Sequence, residues 1–129
     1  MADPRPVSGA WRLIGHRLGD PGGPGAEFCA LVLLDESGTL TFSVDDVRAP
    51  RGIGGWRHAG TGRVVVRAEL FVPGPSGRAP DRVVVRAAAE LTADGATARV
   101  RLQWQLVARD GSPSAAPVVG EGVADLLRP

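Results

Sequence analysis

A regular alternation of apolar and polar side chains is the feature that most constrains how this chain can fold. Residues 98–108 place an apolar side chain at every second position, with mainly arginine and glutamine between them. Residues 82–91 and 63–72 repeat the pattern. Because successive side chains of a β-strand point to opposite faces, each segment is predicted to be a strand with one apolar and one polar face.

Shorter segments of the same character predict five more strands, at 10–18, 28–35, 39–44, 54–59 and 118–126. Compact glycine-bearing turns of the kind that close hairpins separate several strands, at 36–38, 60–62, 94–95 and 110–111. Longer loops are expected at 21–25, 49–55 and 73–80. No segment combines helical period and capping residues over more than a turn or two.

Eight short strands joined mainly by hairpins form a meander, and its apolar face must be covered. Closure of the sheet on itself covers that face and removes the sheet edges. We therefore predict an all-β fold class, an eight-stranded antiparallel up-and-down β-barrel, formed by residues 1–129 as a single domain. A two-sheet sandwich is the competing architecture.

The composition excludes several classes of protein. The 129 residues carry 15 basic and 14 acidic side chains, a net charge of +1. The basic residues are all arginine and are scattered along the chain among the acidic ones, so no nucleic-acid partner is expected. The absence of lysine excludes a Schiff base and a Walker-type phosphate loop.

Neither a membrane span nor a secretion signal is visible in the sequence. No apolar run approaches the ~18 residues of a transmembrane helix, and the first residues, MADPRPVSG, lack the apolar stretch of a signal peptide. We expect a cytoplasmic protein with no membrane partner. Cys29 lies in an apolar run and is expected to act as a small core residue.

The triplet Gly9-Ala10-Trp11, at the head of the first predicted strand, resembles the Gly-x-Trp signature of the lipocalins and the wider calycin group. The segment from Gly52 to Gly60, followed by long alternating hairpins, is similar to small bacterial lipocalin-like barrels. The resemblance implies a barrel in which the tryptophan closes one end and packs on a basic residue after the last strand, here Arg128. It also implies a role like that of relatives in natural-product pathways.

The inward positions of the predicted barrel are mostly aliphatic, and many of them are small. Small side chains leave space that larger ones would occupy, so a cavity for an apolar small molecule is expected. The small inward positions are Ala68, Ala87, Ala89, Ala98, Gly120, Gly122 and Ala124. In the alternative arrangement, Trp104, Phe42 and the leucines fill the space and the core is solid.

Few polar residues are candidates for chemistry in such a cavity. Trp56 and His58 lie two residues apart, so both point to the same side of a strand. If that side faces inward, His58 would be the catalytic acid or base; otherwise it is solvated at the rim. The predicted ligand-contacting side chains are Trp56, Trp104, His16, Phe42, Leu102, Val66 and Val85.

Two further features are open to more than one interpretation. Asp45 and Asp46 lie at a strand end, where they cap a turn or form a carboxylate pair at the barrel mouth. Two histidines without a third ligand do not define a metal site, and neither a metal nor another cofactor is predicted.

Three functions fit such a barrel. The favoured one is a cofactor-independent cyclisation or isomerisation of an apolar intermediate, in the polyketide-type biosynthesis that the resemblance implies, because orientation of a flexible guest is then the main source of rate. The second is a non-catalytic small-molecule carrier. The third is a filled barrel that acts as an interaction subunit, with a homodimer formed through the outward residues Val65, Phe71, Val84 and Val107.

Overall fold

The computed structural model describes residues 7–18, 27–45, 51–72, 81–108 and 110–127. These ranges contain eight strands: β1 (Gly9–Arg17), β2 (Glu27–Leu34), β3 (Thr39–Val44), β4 (Arg51–His58), β5 (Arg63–Val72), β6 (Asp81–Leu91), β7 (Thr97–Val107) and β8 (Val118–Leu126). A helix with the length and apolarity needed to cross a membrane does not occur in these ranges. The predicted loops at 21–25 and 73–80, and Arg128, lie outside the described residues.

The eight strands form a closed barrel in which each strand pairs antiparallel with its neighbours in the chain. β1 also pairs with β8 over seven residue pairs, from Trp11↔Leu126 to Arg17↔Gly120, and this ladder closes the sheet. The predicted all-β, up-and-down barrel is therefore confirmed. A sandwich is excluded because the first and last strands are hydrogen-bonded to each other.

β4 begins earlier than the sequence predicts, within the segment 49–55 that was expected to be a loop. Glycine is disfavoured in strand interiors. The three glycines of this segment therefore made the sequence indicate a loop where the structure has a strand. In the barrel, Gly52 and Gly54 face the interior, where a Cβ atom on Gly52 would overlap the ring of Phe42. The glycines thus allow close approach rather than a turn.

The two ends of the barrel differ. At one end, here called the closed end, the short β2–β3, β4–β5 and β6–β7 hairpins lie close to Val7 and the start of β1. Trp11 is 4% exposed there, and its indole Nε1 donates a hydrogen bond to the carbonyl oxygen of Val7 at 2.9 Å. Arg17, Glu27 and Asp45 lie at the opposite end, here called the mouth.

The outer surface corrects the expectation for Cys29. Phe28 and Ala30, on either side of Cys29, face the interior, so alternation places Cys29 on the outer face. Its side chain is half-buried, and the residue pairs with the outward Ile14 of β1. Cys29 is therefore part of the outer wall and not of the core.

The four residues predicted to form a dimer interface differ in how exposed their side chains are. Phe71 is 66% exposed, whereas Val65 and Val84 are half-buried. Val107 is buried, and it pairs with Pro113 of the β7–β8 connection. A homodimer stays a prediction.

Candidate ligand site

The barrel encloses a cavity of about 520 Å³ that extends from the closed end to the mouth. Val7 and Trp11 form its floor, and Arg17, Glu27 and Asp45 form its rim. Small-molecule sites in proteins typically have volumes of roughly 300–1,000 Å³. The cavity is therefore large enough for one small molecule.

The cavity exists because small residues face the interior on several neighbouring strands. The alanines that line it are Ala30, Ala68, Ala87, Ala89, Ala98 and Ala124. A leucine or phenylalanine at any of these positions would extend into the space that the alanine leaves. The prediction that small inward residues leave space for a cavity is therefore confirmed for the alanines.

Two glycines that were expected to add space do not do so. A Cβ atom on Gly120 would lie 2.9 Å from both Leu102 Cδ1 and Trp104 Cζ3, and one on Gly122 would lie 2.6 Å from the Cα atom of Gly15. Side-chain and backbone atoms thus already occupy the room in front of them. The close approach at Gly120 brings the edge of the Trp104 ring next to the backbone of β8.

Aromatic rings form the half of the cavity wall nearer the mouth. Phe28 and Trp104 meet edge to face, with ring centroids 5.8 Å apart and an interplanar angle of 78°, an arrangement that aromatic pairs prefer. Phe28 lies over Gly15, where a Cβ atom would be 2.6 Å from its ring carbon Cζ. Phe42 covers Gly52 in the same way. The wall below the rim is therefore largely aromatic.

The cavity wall is apolar below its rim. Among the described residues, no polar or charged side chain is buried, and no buried side-chain polar atom lacks a hydrogen-bond partner. The ionisable side chains that line the cavity in these ranges, Arg17, Glu27 and Asp45, are all exposed at the mouth. A polar group placed near the floor would lose its hydrogen bonds to water without replacement.

The structure brings five of the predicted ligand-contacting residues together. These are Trp104, Phe42, Leu102, Val66 and Val85, and all five line the cavity. Leu102 lies opposite Ala87 in the β6–β7 ladder, and Val85 lies opposite Trp104. Their common inward parity follows directly from the alternation seen in the sequence.

Trp56 and His58 share a side of β4, as predicted, but they lie beyond the cavity at the closed end. The Trp56 indole donates a hydrogen bond from Nε1 to the carbonyl oxygen of Asp35 at 2.8 Å, which holds the ring against the β2–β3 hairpin. His58 contacts it edge to face, with centroids 5.5 Å apart, and is exposed. This side of β4 is the inward one, since Trp56 pairs with Val66 and packs against the core. Neither Trp56 nor His58 lines the cavity, because β4 ends here at the closed end, so the expectation that the two rings share the cavity is corrected.

His16 faces outward, in line with Ile14. Its neighbour Gly15 faces the interior, so alternation places the imidazole on the surface. His16 Nε2 lies 3.7 Å from Glu121 Oε1 on the adjacent strand β8. The two histidines are therefore on different surfaces and neither lines the cavity.

The lining residues that were not among the predicted contacts include Phe28 and three charged residues, Arg17, Glu27 and Asp45. Phe28 has the same parity as Ala30, so the alternation could have placed it inside once the facing of β2 was known. The three charged residues stand at strand ends, where alternation no longer determines direction. Asp46, the partner proposed for Asp45 in a carboxylate pair, lies outside the described residues.

Asp35 and Asp110, in the part of the chain that the structure describes, have carboxyl groups with shifted pKa values, and both belong to turns. The backbone N–H of Ser37 donates to Asp35 Oδ1 at 2.8 Å and lowers the pKa of Asp35. The hydroxyl of Ser112 donates to Asp110 Oδ1 at 2.6 Å, its backbone N–H does so at 2.9 Å, and together they lower the pKa of Asp110. The hydrogen bonds that cause these shifts stabilise turns, and neither carboxyl group lines the cavity.

Within the described ranges, no three histidine, cysteine, aspartate or glutamate side chains come close enough together to hold a metal ion. No family model matches the chain, and no curated protein is significantly similar to it. The class of protein is thus defined by its geometry: an eight-stranded antiparallel barrel, compatible with a lipocalin-like fold, with an apolar cavity and a charged rim.

Proposed function

We propose that the barrel binds one apolar small molecule in its interior. The observation that supports this most is a cavity of about 520 Å³ in which none of the described polar side chains is buried. The lining atoms of such a cavity lack dispersion partners while it is empty. An apolar guest restores those contacts and is itself removed from water, which stabilises the complex by roughly 25 cal/mol per Å² of apolar surface.

The guest lies with its apolar body toward Trp11 and with any polar group at the mouth. Only the rim offers charged partners among the described lining residues, through Arg17, Glu27 and Asp45. Hydrogen-bonding groups on a ligand are strongly disfavoured where nothing can pair with them. The ligand class is therefore an apolar molecule or an amphiphile with one polar end.

Ala87 and Ala88 provide a matched test of this proposal on β6. Ala87 lines the cavity opposite Val66, whereas Ala88 lies opposite Val65 on the outer side. We expect Ala87→Phe to weaken binding of the uncharged fluorophore N-phenylnaphthylamine at least about tenfold, because the added ring occupies the guest's space. Fluorescence titration measures this.

The control Ala88→Phe should leave the affinity unchanged, because its ring lies outside the barrel. Circular dichroism establishes that both variants fold. Equal affinities for the wild type and Ala87→Phe would place the fluorophore outside the cavity and overturn the proposal. An absence of binding to the wild type would do the same.

Catalysis of a cyclisation or isomerisation stays a prediction. A cavity that holds a flexible guest in one folded shape supports it, since orientation alone accelerates intramolecular reactions. The exposed position of His58 beyond the cavity does not favour that residue as the acid or base. If a proton is transferred, the described lining groups able to take part are Glu27 and Asp45 at the rim.

We further propose that the chain is a calycin-type barrel. The buried Trp11 at the closed end, next to the first strand's Gly9, supports this relationship. A role in natural-product biosynthesis and a cytoplasmic location rest on the sequence alone.

A further inference from the structure

The barrel gathers on one side the arginines that the sequence spreads along the chain. β4 to β7 contain eight arginines against three acidic residues, a net formal charge of +5. The other four strands contain two arginines against three acidic residues. The arginines are scattered along the sequence but not over the surface, which corrects the expectation. The strands β4 to β7 are adjacent in the barrel, and alternation turns their eight arginines outward.

Arg67 and Arg86 lie at the centre of this basic face. They are directly opposite each other in the β5–β6 ladder, and both are exposed. Like charges in this cross-strand position repel each other. Nearby Arg82 is neutralised by Glu69, with Nη1 3.0 Å from Oε1, but no described carboxylate lies within ion-pair distance of Arg67 or Arg86.

A groove of about 210 Å³ on the outer wall is lined by these two arginines. Gln103 continues the same row, since it lies opposite Arg86 on β7. The β7–β8 connection forms one side of the groove through Pro113. The amide Nε2 of Gln105 donates to the carbonyl oxygen of Ala115 at 3.0 Å and holds that connection in place.

We propose that this groove binds a phosphate group between the guanidinium groups of Arg67 and Arg86. Each guanidinium presents a planar fork of donors that matches two phosphate oxygens, and such charge-assisted bonds are among the strongest in proteins. The bound anion also removes the repulsion between the two cations. Gln103 supplies a further neutral donor in the same row.

The groove lies on the outside of the barrel wall, so this site does not depend on the internal cavity. The phosphate group is carried either by a small molecule or by an anionic lipid headgroup. The chemistry of recognition is the same for both sources.

Inorganic pyrophosphate is the probe for the first experiment. Isothermal titration should show binding to the wild type, and Arg67→Gln and Arg86→Gln should each weaken it about tenfold or more. Arg99→Gln is the matched control: Arg99 is an exposed arginine of β7 that lies outside the groove and opposite Glu90. Equal weakening by all three substitutions indicates diffuse charge attraction and overturns the site, as does an absence of binding.

Thermal unfolding gives a second, independent measurement. In phosphate-free buffer, Arg67→Gln should raise Tm by roughly 1–5 °C, because the repulsion is lost. Added pyrophosphate should raise the Tm of the wild type but not that of the variant. A variant that gains as much from pyrophosphate as the wild type contradicts the proposal.

Vesicle flotation distinguishes the two sources. Arg67-dependent binding to phosphatidylglycerol vesicles and not to phosphatidylcholine vesicles assigns the site to a lipid headgroup. Binding of pyrophosphate without binding to either vesicle assigns it to a soluble phosphate compound. Binding to a single-stranded oligonucleotide alone, with neither of these, overturns the groove as a phosphate site in favour of an extended nucleic-acid surface.

Discussion

At the scale of single residues, a missing side chain has two opposite effects in this barrel. Ala68 and Ala87 leave space in front of them, and that space is the cavity. Gly54 and Gly120 leave none, because atoms of neighbouring residues approach their backbones closely. In a sequence the two kinds of small residue look alike, since both suggest room inside. Only the positions of their neighbours separate them.

Gly54→Ala tests the close approach of β4 and β5. A Cβ atom at Gly54 would overlap the carbonyl oxygen of Arg67 and lie 2.7 Å from the Cβ atom of Ala68. We expect the free energy of unfolding to fall by roughly 1–3 kcal/mol, as it does when a well-packed interior is overfilled. Urea denaturation measures the loss.

The neighbouring Gly55→Ala is the control on the opposite face of the same strand. Its Cβ atom would meet only the carbonyl oxygen of Gly38, at 3.3 Å. We expect a change within about 0.5 kcal/mol. Similar losses for the two variants would mean that the contacts at Gly54 do not account for the effect.

At the scale of elements, the strands with the clearest alternation were predicted almost to the residue. The prediction for β5, 63–72, matches Arg63–Val72 in the structure. The strand β6 begins one residue earlier than predicted, and β7 is shifted by one residue. In these strands the inward side chains face an apolar interior and the outward ones face water, so the alternation of apolar and polar residues marks where each strand begins and ends. β4 was shortened in the prediction because glycine carries no polarity signal, although its strand is required to complete the barrel.

The β7–β8 connection provides a pH-dependent prediction. Hydrogen bonds from Ser112 lower the pKa of the Asp110 carboxyl in the folded protein. Its contribution to stability is therefore present above the unfolded pKa of about 4 and is lost as the pH falls through the lower folded value. Asp110→Ala should lower Tm slightly at neutral pH, and the difference from the wild type should disappear in acid.

Ser112→Ala separates this mechanism from a general loss of the turn. Removal of the hydroxyl should move the pKa of Asp110 back toward its ordinary value, measured by NMR titration of the side-chain carboxyl. If Asp110→Ala lowers Tm by the same amount at every pH, the ionised carboxylate is not the stabilising species.

At the scale of the whole molecule, closure of the sheet creates an inside with a floor and a rim. Trp11 and the hairpins occupy one end, while Arg17, Glu27 and Asp45 stand at the other. A guest that fills this interior binds only the folded state and stabilises it by about 2.7 kcal/mol at a concentration one hundred times its Kd. The proposed function therefore predicts an effect on global unfolding.

Linear alcohols of increasing length test this prediction. Each added methylene should lower Kd about fourfold, from about 0.8 kcal/mol per buried CH₂. At a fixed concentration, Tm should then rise from hexanol to longer alcohols and stop rising once the cavity is full. Differential scanning calorimetry measures this, with Ala87→Phe levelling off at a shorter chain. A uniform fall in Tm across the series, typical of solvent denaturation, would contradict it.

The sequence by itself determined most of the strands and their two faces, because these follow from a local two-residue period that any strand must obey. It favoured closure of the meander over a sandwich, and the ladder between β1 and β8 decided it. It also indicated the apolar interior through Leu102, Val66 and Val85. Only the tertiary structure decided that His58 stands beyond the cavity, that charged residues ring the mouth, and that Arg67 and Arg86 meet across a ladder. These properties depend on where strands end and which residues are paired in register, and both are set by the closure of the whole barrel.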